Sequence, residues 1–250
     1  MKSPTFSPRV EPAFEWPPRV SVVLPTYNES GNIGRLISAL RESGQSLRDL
    51  ELVVVDDNSP DHTADVARDA GPGVRVIVRT EERGLATAVR RGIEEAKGDV
   101  VVVMDTDFNH QPEMIPQMVD FLRYYDLVTG SRFTVGGGME ERSRYRLSFL
   151  FNLFCRMLLR TKLQDHLSGF FAVRREAILA FDLDDIFGGY GDYFIRLLVE
   201  VLARGSTVLE VPVYYHARSH GESKTQFLRT FGRYTRAVVR LALRSRPQPT

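Results

Sequence analysis

Two carboxylates separated by one residue, Asp105 and Asp107 in VVVMDTDFNH, follow directly on the apolar run Val100 to Met104. Such a run reads as a buried strand. Its abrupt polar end puts both acids in the loop where open α/β sheets bind ligands. The two charges repel each other unless a cation joins them. Mg²⁺ or Mn²⁺ bridging substrate phosphates suits a pair of hard oxygen ligands. A D-x-D alone marks a solvated turn more often than a metal site, so its weight depends on the rest of the chain.

Two earlier apolar runs end in the same way. Val20–Leu24 leads into Pro25-Thr26-Tyr27-Asn28-Glu29, and Leu52–Val55 leads into Asp56-Asp57-Asn58-Ser59. Val74–Val78 is another strand, and Leu127–Val128 begins a fifth. Between the strands, apolar residues recur at helical spacing: Ile33, Leu36, Ile37 and Leu40; Leu85, Val89, Ile93 and Ala96; Ile115, Met118, Val119 and Leu122. Ser59-Pro60 reads as an N-cap followed by a proline at the first helical position. Strands alternating with helices predict an α/β fold with a mainly parallel sheet. Parallel strands bring the three polar ends to one edge. Carboxylates there would face a base and ribose, and a cation would face a pyrophosphate. No G-x-G-x-x-G follows the first strand and no G-x-x-x-x-G-K-[ST] occurs, which excludes the dinucleotide and P-loop readings.

The balance of 33 Lys+Arg against 32 Asp+Glu offers no global field for nucleic acid. Six arginines and no acid follow Lys224, so the basic character is local to the C-terminus. Cys155 is the only cysteine, which suits a reducing compartment. The N-terminus lacks the pattern of a signal peptide. No stretch reaches the roughly 18 apolar residues of a membrane span, so any membrane contact is expected to be peripheral. Residues 1–18 read as a flexible Pro-rich tail.

Several polar residues read as structural. Asp56 is expected to stabilise a turn. His110, His166, His216 and His220 show no metal-ligand spacing and are expected to be solvated or capping. Gly136-Gly137-Gly138 reads as a mobile loop able to close over a substrate, and Glu140 and Glu141 as surface charges.

VSVVLPTYNES, VVVDDNSPDHTADVA, RGLATAVRRG, MDTDFNHQPE, TGSRF, LSGFFAVRRE and RSHGESK occur in this order. Together they resemble the family 2 glycosyltransferases of GT-A fold, and within them the branch that transfers mannose to dolichyl or other polyprenyl phosphates. The resemblance spans roughly residues 19–224 and implies a GT-A domain there, followed by a basic amphipathic helix and tail over 225–250. It implies that Pro25, Tyr27, Glu29 and Asp57 hold the nucleoside, with backbone contacts from Val55. Asp105 and Asp107, with Thr106 between them, would hold metal and diphosphate. Asn109 stands where many members have a metal-ligating glutamine. Arg132 matches a phosphate-binding arginine, and Arg144 and Ser148 match a pair facing the acceptor phosphate, with Arg146 as a rival. Arg218 and Lys224 match the basic pair around the Gly221-Glu222-Ser223 loop. Asp107, Arg132 and Arg218 would then be the catalytic residues.

The implied reaction is a metal-dependent, inverting transfer of mannose from GDP-mannose to a polyprenyl phosphate. It needs no general base, because a phosphate monoester is largely anionic at neutral pH. Two other readings stay open: another sugar from a UDP donor, with a lipid phosphate or hydroxyl acceptor, or a non-catalytic nucleotide-sugar-binding subunit that recruits a partner to membranes. Residues 145–160, with Phe149, Phe151, Phe154 and Leu158, form one candidate membrane-facing helix. Arg229, Arg233, Arg236, Arg240 and Arg244 form a basic stripe on a second, flanked by Phe231, Val238, Val239, Leu241 and Leu243. The same spacing also fits a helix docked on the domain with its arginines in solvent. The expected location is the cytoplasmic face of a membrane.

Overall fold

The structure is a computed structural model that describes residues 15–189, 191–216 and 227–244. In chain order the elements are β1 (Arg19–Thr26), α1 (Ser30–Ser43), β2 (Asp49–Asp56), α2 (Thr63–Asp69), β3 (Val74–Val78), α3 (Leu85–Glu95), β4 (Val100–Val103), α4 (Ile115–Phe121) and β5 (Leu127–Ser131). There follow β6 (Gly138–Met139), α5 (Arg142–Leu159), β7 (Phe171–Arg174), α6 (Arg175–Leu179), α7 (Leu183–Phe187), α8 (Tyr193–Ala203), β8 (Val208–Pro212), β9 (Tyr214–Tyr215) and α9 (Phe227–Arg244).

Seven strands form one sheet in the order β3-β2-β1-β4-β7-β5-β8. As expected, it is mainly parallel: β1 pairs in parallel with β2 and β4, and β5 with β8. β7 alone runs antiparallel to both of its neighbours. The strands read as unbroken apolar runs because both faces are covered. Val22, Leu24, Val54 and Val102 pack on one side with α1 and α4 residues such as Leu36 and Met118. Val23, Val53, Val55 and Val101 pack on the other with Val89, Ile93, Phe194 and Leu198.

Three local expectations are corrected. Ser59-Pro60 does not start a helix. The buried Asp56 captures the Ser59 backbone N–H at 2.8 Å and its hydroxyl at 2.6 Å, and α2 begins only at Thr63. Asp56 itself is the turn-stabilising residue it was expected to be. The glycine triplet is built into the fold rather than a free loop. Gly138 pairs with Tyr214, and a Cβ on Gly137 would lie 2.4 Å from the Ser131 carbonyl oxygen. Finally, of the four histidines named above, His110 and His166 are fully buried, His216 is exposed, and His220 lies outside the described residues. Glu140 and Glu141 are exposed.

α9 docks on α5 and α8. Val238 and Leu241 are buried with Phe151, Cys155 and Ile195, and Phe154 and Leu158 pack against that cluster. The large apolar side chains left exposed on α5 are therefore Leu147, Phe149, Leu150, Leu153 and Met157. No helix among the described residues is long and apolar enough to cross a membrane.

Candidate functional site

The polar ends of β1, β2 and β4 meet in a cavity of ≈ 500 Å³, within the size range of ligand sites. Pro25, Tyr27, Glu29, Asp57, Asp105, Thr106 and Asp107 all line it. Arg144 of α5 lines it as well; Arg146 is exposed and does not. Ser148 lies one turn beyond Arg144 on the same helix, outside the lining, and its carbonyl accepts from Asn152 Nδ2 at 3.0 Å. Val55 is buried within β2 behind this edge. Arg218 and Lys224 lie outside the described residues.

Each acid is held by a different device. Asp57 is 6% exposed; it pairs with Arg79 through Nε at 2.8 Å, and its second oxygen accepts the Gly84 N–H at 2.8 Å. That ties the Asp57 side of the cavity to the start of α3. The residue before Gly84, Arg83, lies over the Tyr27 ring at 5.3 Å. The Glu29 carboxylate accepts from Asn32 Nδ2 at 2.9 Å, and its backbone N–H donates to Thr63 Oγ1 at 2.8 Å.

After β4 the chain turns sharply, with Phe108 in the left-handed region at φ 61. This conformation costs a non-glycine residue roughly 1–2 kcal/mol. The turn lets Asn109 fold back onto Asp107, donating its backbone N–H to Oδ1 at 3.1 Å and its amide to Oδ2 at 2.7 Å. Asn109 is buried and outside the cavity lining, so here it orients Asp107. Asp105 is oriented through its backbone. Its N–H donates to His110 Nδ1 at 2.8 Å, and His110 Nε2 meets the Tyr215 hydroxyl at 2.7 Å. That hydroxyl donates onward to the Ser168 carbonyl at 3.1 Å, which leaves Nε2 as the nitrogen that carries the imidazole proton. Phe170 stacks on the ring with centroids 4.9 Å apart.

Arg132 is not in the lining. It is buried and makes a two-pronged ion pair with the fully buried Asp165, Nε to Oδ2 and Nη2 to Oδ1, each at 2.7 Å. Burial alone would lower the Arg132 pKa, but the Asp165 charge and hydrogen bonds outweigh it and leave the guanidinium firmly protonated; the Asp105 charge adds to this. The Asp165 carboxyl, which burial would raise, is held below its usual range by Arg132. The guanidinium also lies 4.8 Å from the centre of the Tyr215 ring. A chain of contacts through Tyr215 and His110 thus joins Arg132 to the acidic loop.

Sequence reasoning missed Arg79, Arg83, His110, Asp165 and Tyr215. His110 had one signal, its place three residues after Asp107. Arg83 had one too, as the first residue of RGLATAVRRG; Arg79, Asp165 and Tyr215 have none, because their partners come from distant elements. Tyr193 and Tyr234 complete the cavity from α8 and α9. Burial raises the Tyr193 hydroxyl well above its ordinary pKa, so it stays protonated. Burial likewise pushes the Cys155 thiol up to about 12, which leaves it unreactive at neutral pH.

The donor set fits a divalent cation. Asp105 and Asp107 both face the cavity, and a small hard cation takes one or two carboxylates and completes its shell with substrate phosphates and water.

The model of the glycosyl transferase family 2 matches residues 21–180. The chain is 40% identical over 234 residues to the dolichol-phosphate mannosyltransferase of Pyrococcus furiosus, which covers 89% of this chain and 63% of that protein. It therefore spans less than two thirds of that relative's length. It is 36% identical over 215 residues to the undecaprenyl-phosphate mannosyltransferase of Micrococcus luteus, covering 82% of this chain and 87% of that protein. Among solved structures, glucosyl-3-phosphoglycerate synthase from Mycobacterium tuberculosis in complex with Mg²⁺ and UDP matches with a TM-score of 0.67 and 26% identity, over 91% of this chain and 79% of that one. With the family model matching residues 21–180 and these relatives in agreement, the chain belongs to glycosyl transferase family 2.

Proposed function

We propose that this chain transfers mannose from GDP-mannose to a polyprenyl phosphate, with a divalent cation, Mg²⁺ or Mn²⁺, held by Asp105 and Asp107. The observation that carries this reading is the placement of Arg144 in the same cavity as the two aspartates. A cation-binding end and a guanidinium then face one space, where a donor diphosphate and an acceptor phosphate can meet. The names of the P. furiosus and M. luteus relatives support the sugar and the acceptor class.

Tyr27, Glu29 and Asp57 receive the nucleoside, with Arg79 holding the Asp57 carboxylate in place. The cation, when bound, offsets the charge that develops on the leaving diphosphate. Arg144 orients the acceptor phosphate, and an oxygen of that phosphate forms the new bond to the anomeric carbon as the bond from that carbon to the diphosphate oxygen breaks. The nucleoside diphosphate leaves with the electron pair, and the anomeric centre inverts. No proton has to be removed from the nucleophile, because the acceptor arrives as an anion. This matches the side chains present: His110 is enclosed and bonded at both nitrogens, so it serves to position Asp105. Arg218 and Lys224 are assigned to the diphosphate on the resemblance alone. The exposed apolar residues of α5, with Phe231, Val239 and Leu243 of α9, form the face that rests on lipid at the cytoplasmic surface.

A panel of GDP-mannose, UDP-glucose and UDP-galactose, with a short radiolabelled polyprenyl phosphate, tests the reaction. GDP-mannose should give labelled lipid product, and EDTA should abolish it until Mg²⁺ or Mn²⁺ is restored. The solved relative with bound UDP favours a UDP donor as the second reading, and turnover of a UDP-sugar alone would establish it. Full activity in EDTA would remove the metal from the mechanism.

A further inference from the structure

Four arginines of α9 share one concave surface. Arg233, Arg236, Arg240 and Arg244 line a groove of ≈ 500 Å³ between α9 and the segment that joins α7 to α8. Arg196 of α8 and Arg83 before α3 complete the cationic wall. Against these six arginines stand two aspartates in the lining, Asp185 and Asp192. Both are engaged: Asp192 accepts from Arg196 at 2.6 Å and Asp185 from Arg244 at 3.3 Å. Arg236 and Arg240 have no carboxylate partner among the described residues, and both are exposed.

This arrangement is unfavourable for the protein alone. Arg233, Arg236, Arg240 and Arg244 follow each other at spacings of three, four and four, so each faces a like charge on the adjacent turn. A surface helix could relieve this with interspersed glutamates, and α9 has none. A concave wall concentrates the field further. The chemistry that satisfies it is a ligand with clustered phosphates, which the planar, two-pronged guanidinium fits.

We propose that this groove is a second phosphate site, distinct from the sugar-donor cavity, that takes a ligand bearing a diphosphate or a cluster of phosphate monoesters. Its source is either a soluble oligophosphate or the headgroup of a phosphorylated lipid. The two cavities share Arg83 and Gly84 as a common wall. Gly84 is bonded to Asp57, and Arg83 covers Tyr27. Occupancy of the groove therefore acts on the residues assigned to the nucleoside. The site itself stands independently of which sugar is transferred.

The full chain is titrated with inorganic pyrophosphate in EDTA, so that no metal supports a diphosphate in the donor cavity. Wild type should bind one pyrophosphate, with an affinity that falls as salt rises. Arg236→Gln with Arg240→Gln should weaken it at least tenfold at an unchanged melting temperature, and Arg236→Lys with Arg240→Lys should restore part of the loss. Asp107→Ala should bind as wild type does. Pyrophosphate that displaces the protein from phosphatidic acid vesicles identifies a lipid headgroup as the source, and binding without displacement identifies a soluble one. Undiminished binding in the glutamine variant overturns the proposal, as does loss in Asp107→Ala alone. If wild type binds no pyrophosphate, while the glutamine variant loses only vesicle binding, the arginines are membrane-surface charge and the site does not exist.

Discussion

His110 accepts the backbone N–H of Asp105 on Nδ1 at 2.8 Å, so a fully buried imidazole sets the position of the first acid of the Asp105–Asp107 pair. His110→Ala should leave that N–H and the Tyr215 hydroxyl short of partners and cost about 1–3 kcal/mol of stability. It should also weaken nucleotide binding in Mn²⁺ more than in EDTA. His110→Asn keeps an acceptor close to Nδ1 and should recover part of both losses. Urea unfolding with nucleotide titrations measures them; equal affinities for all three proteins would reduce His110 to a packing residue.

Arg144 and the aspartates line one cavity, and in the proposed reaction they serve different ligands. Arg144→Ala should raise KM for the polyprenyl phosphate by about tenfold or more, the scale of one lost charge-assisted hydrogen bond. GDP affinity should change little. Ser148→Ala, whose side chain lies outside the lining, should have the smaller effect. Calorimetry that showed GDP affinity lost in Arg144→Ala would move this arginine to the donor.

His166 predicts a pH dependence of stability. Burial lowers its pKa from 6.5 to about 4, so the folded state holds it neutral where the unfolded chain would protonate it. Between these values the unfolded state binds the extra proton, and stability therefore rises with pH. The contribution is complete above pH 6.5 and is lost as pH falls toward 4, on the order of 3 kcal/mol in all. His166→Gln should flatten that part of the profile. Denaturant midpoints at half-unit intervals in both proteins decide it, and parallel profiles would refute the assignment.

Removal of α9 would strip Val238 and Leu241 from Phe151 and Ile195, so truncation cannot separate membrane binding from stability. Point changes on the exposed face can. Leu150 is 60% and Met157 69% exposed. Leu150→Glu with Met157→Glu should lower partition onto vesicles by at least about tenfold, given roughly 1.5–3 kcal/mol per large apolar side chain buried in lipid. The melting temperature should hold. Vesicle sedimentation unchanged from wild type would take α5 out of the membrane contact.

The acidic edge was legible because its signals are local. Val100 to Met104 must be buried, the chain must leave the sheet at Asp105, and parallel strands must place Tyr27, Asp57 and Asp107 side by side. The mainly parallel sheet followed from the same alternation of patterns. What holds those residues was not legible. Arg79 reaches Asp57 across 22 positions, Arg132 reaches Asp165 across 33, and His110 reaches Tyr215 across 105. Ser59-Pro60 resembled a helix start, but the Ser59 hydroxyl is spent elsewhere: it donates to Asp56 and accepts the Asn28 N–H. The arginine spacing in α9 established that these residues share a face. Only packing decided which way that face turns: Val238 and Leu241 bury against α5 and α8, and the arginines are left to line the groove. Periodicity fixes angles about a helix axis, whereas the rotation of that axis against its neighbours depends on contacts between segments that are far apart in the chain.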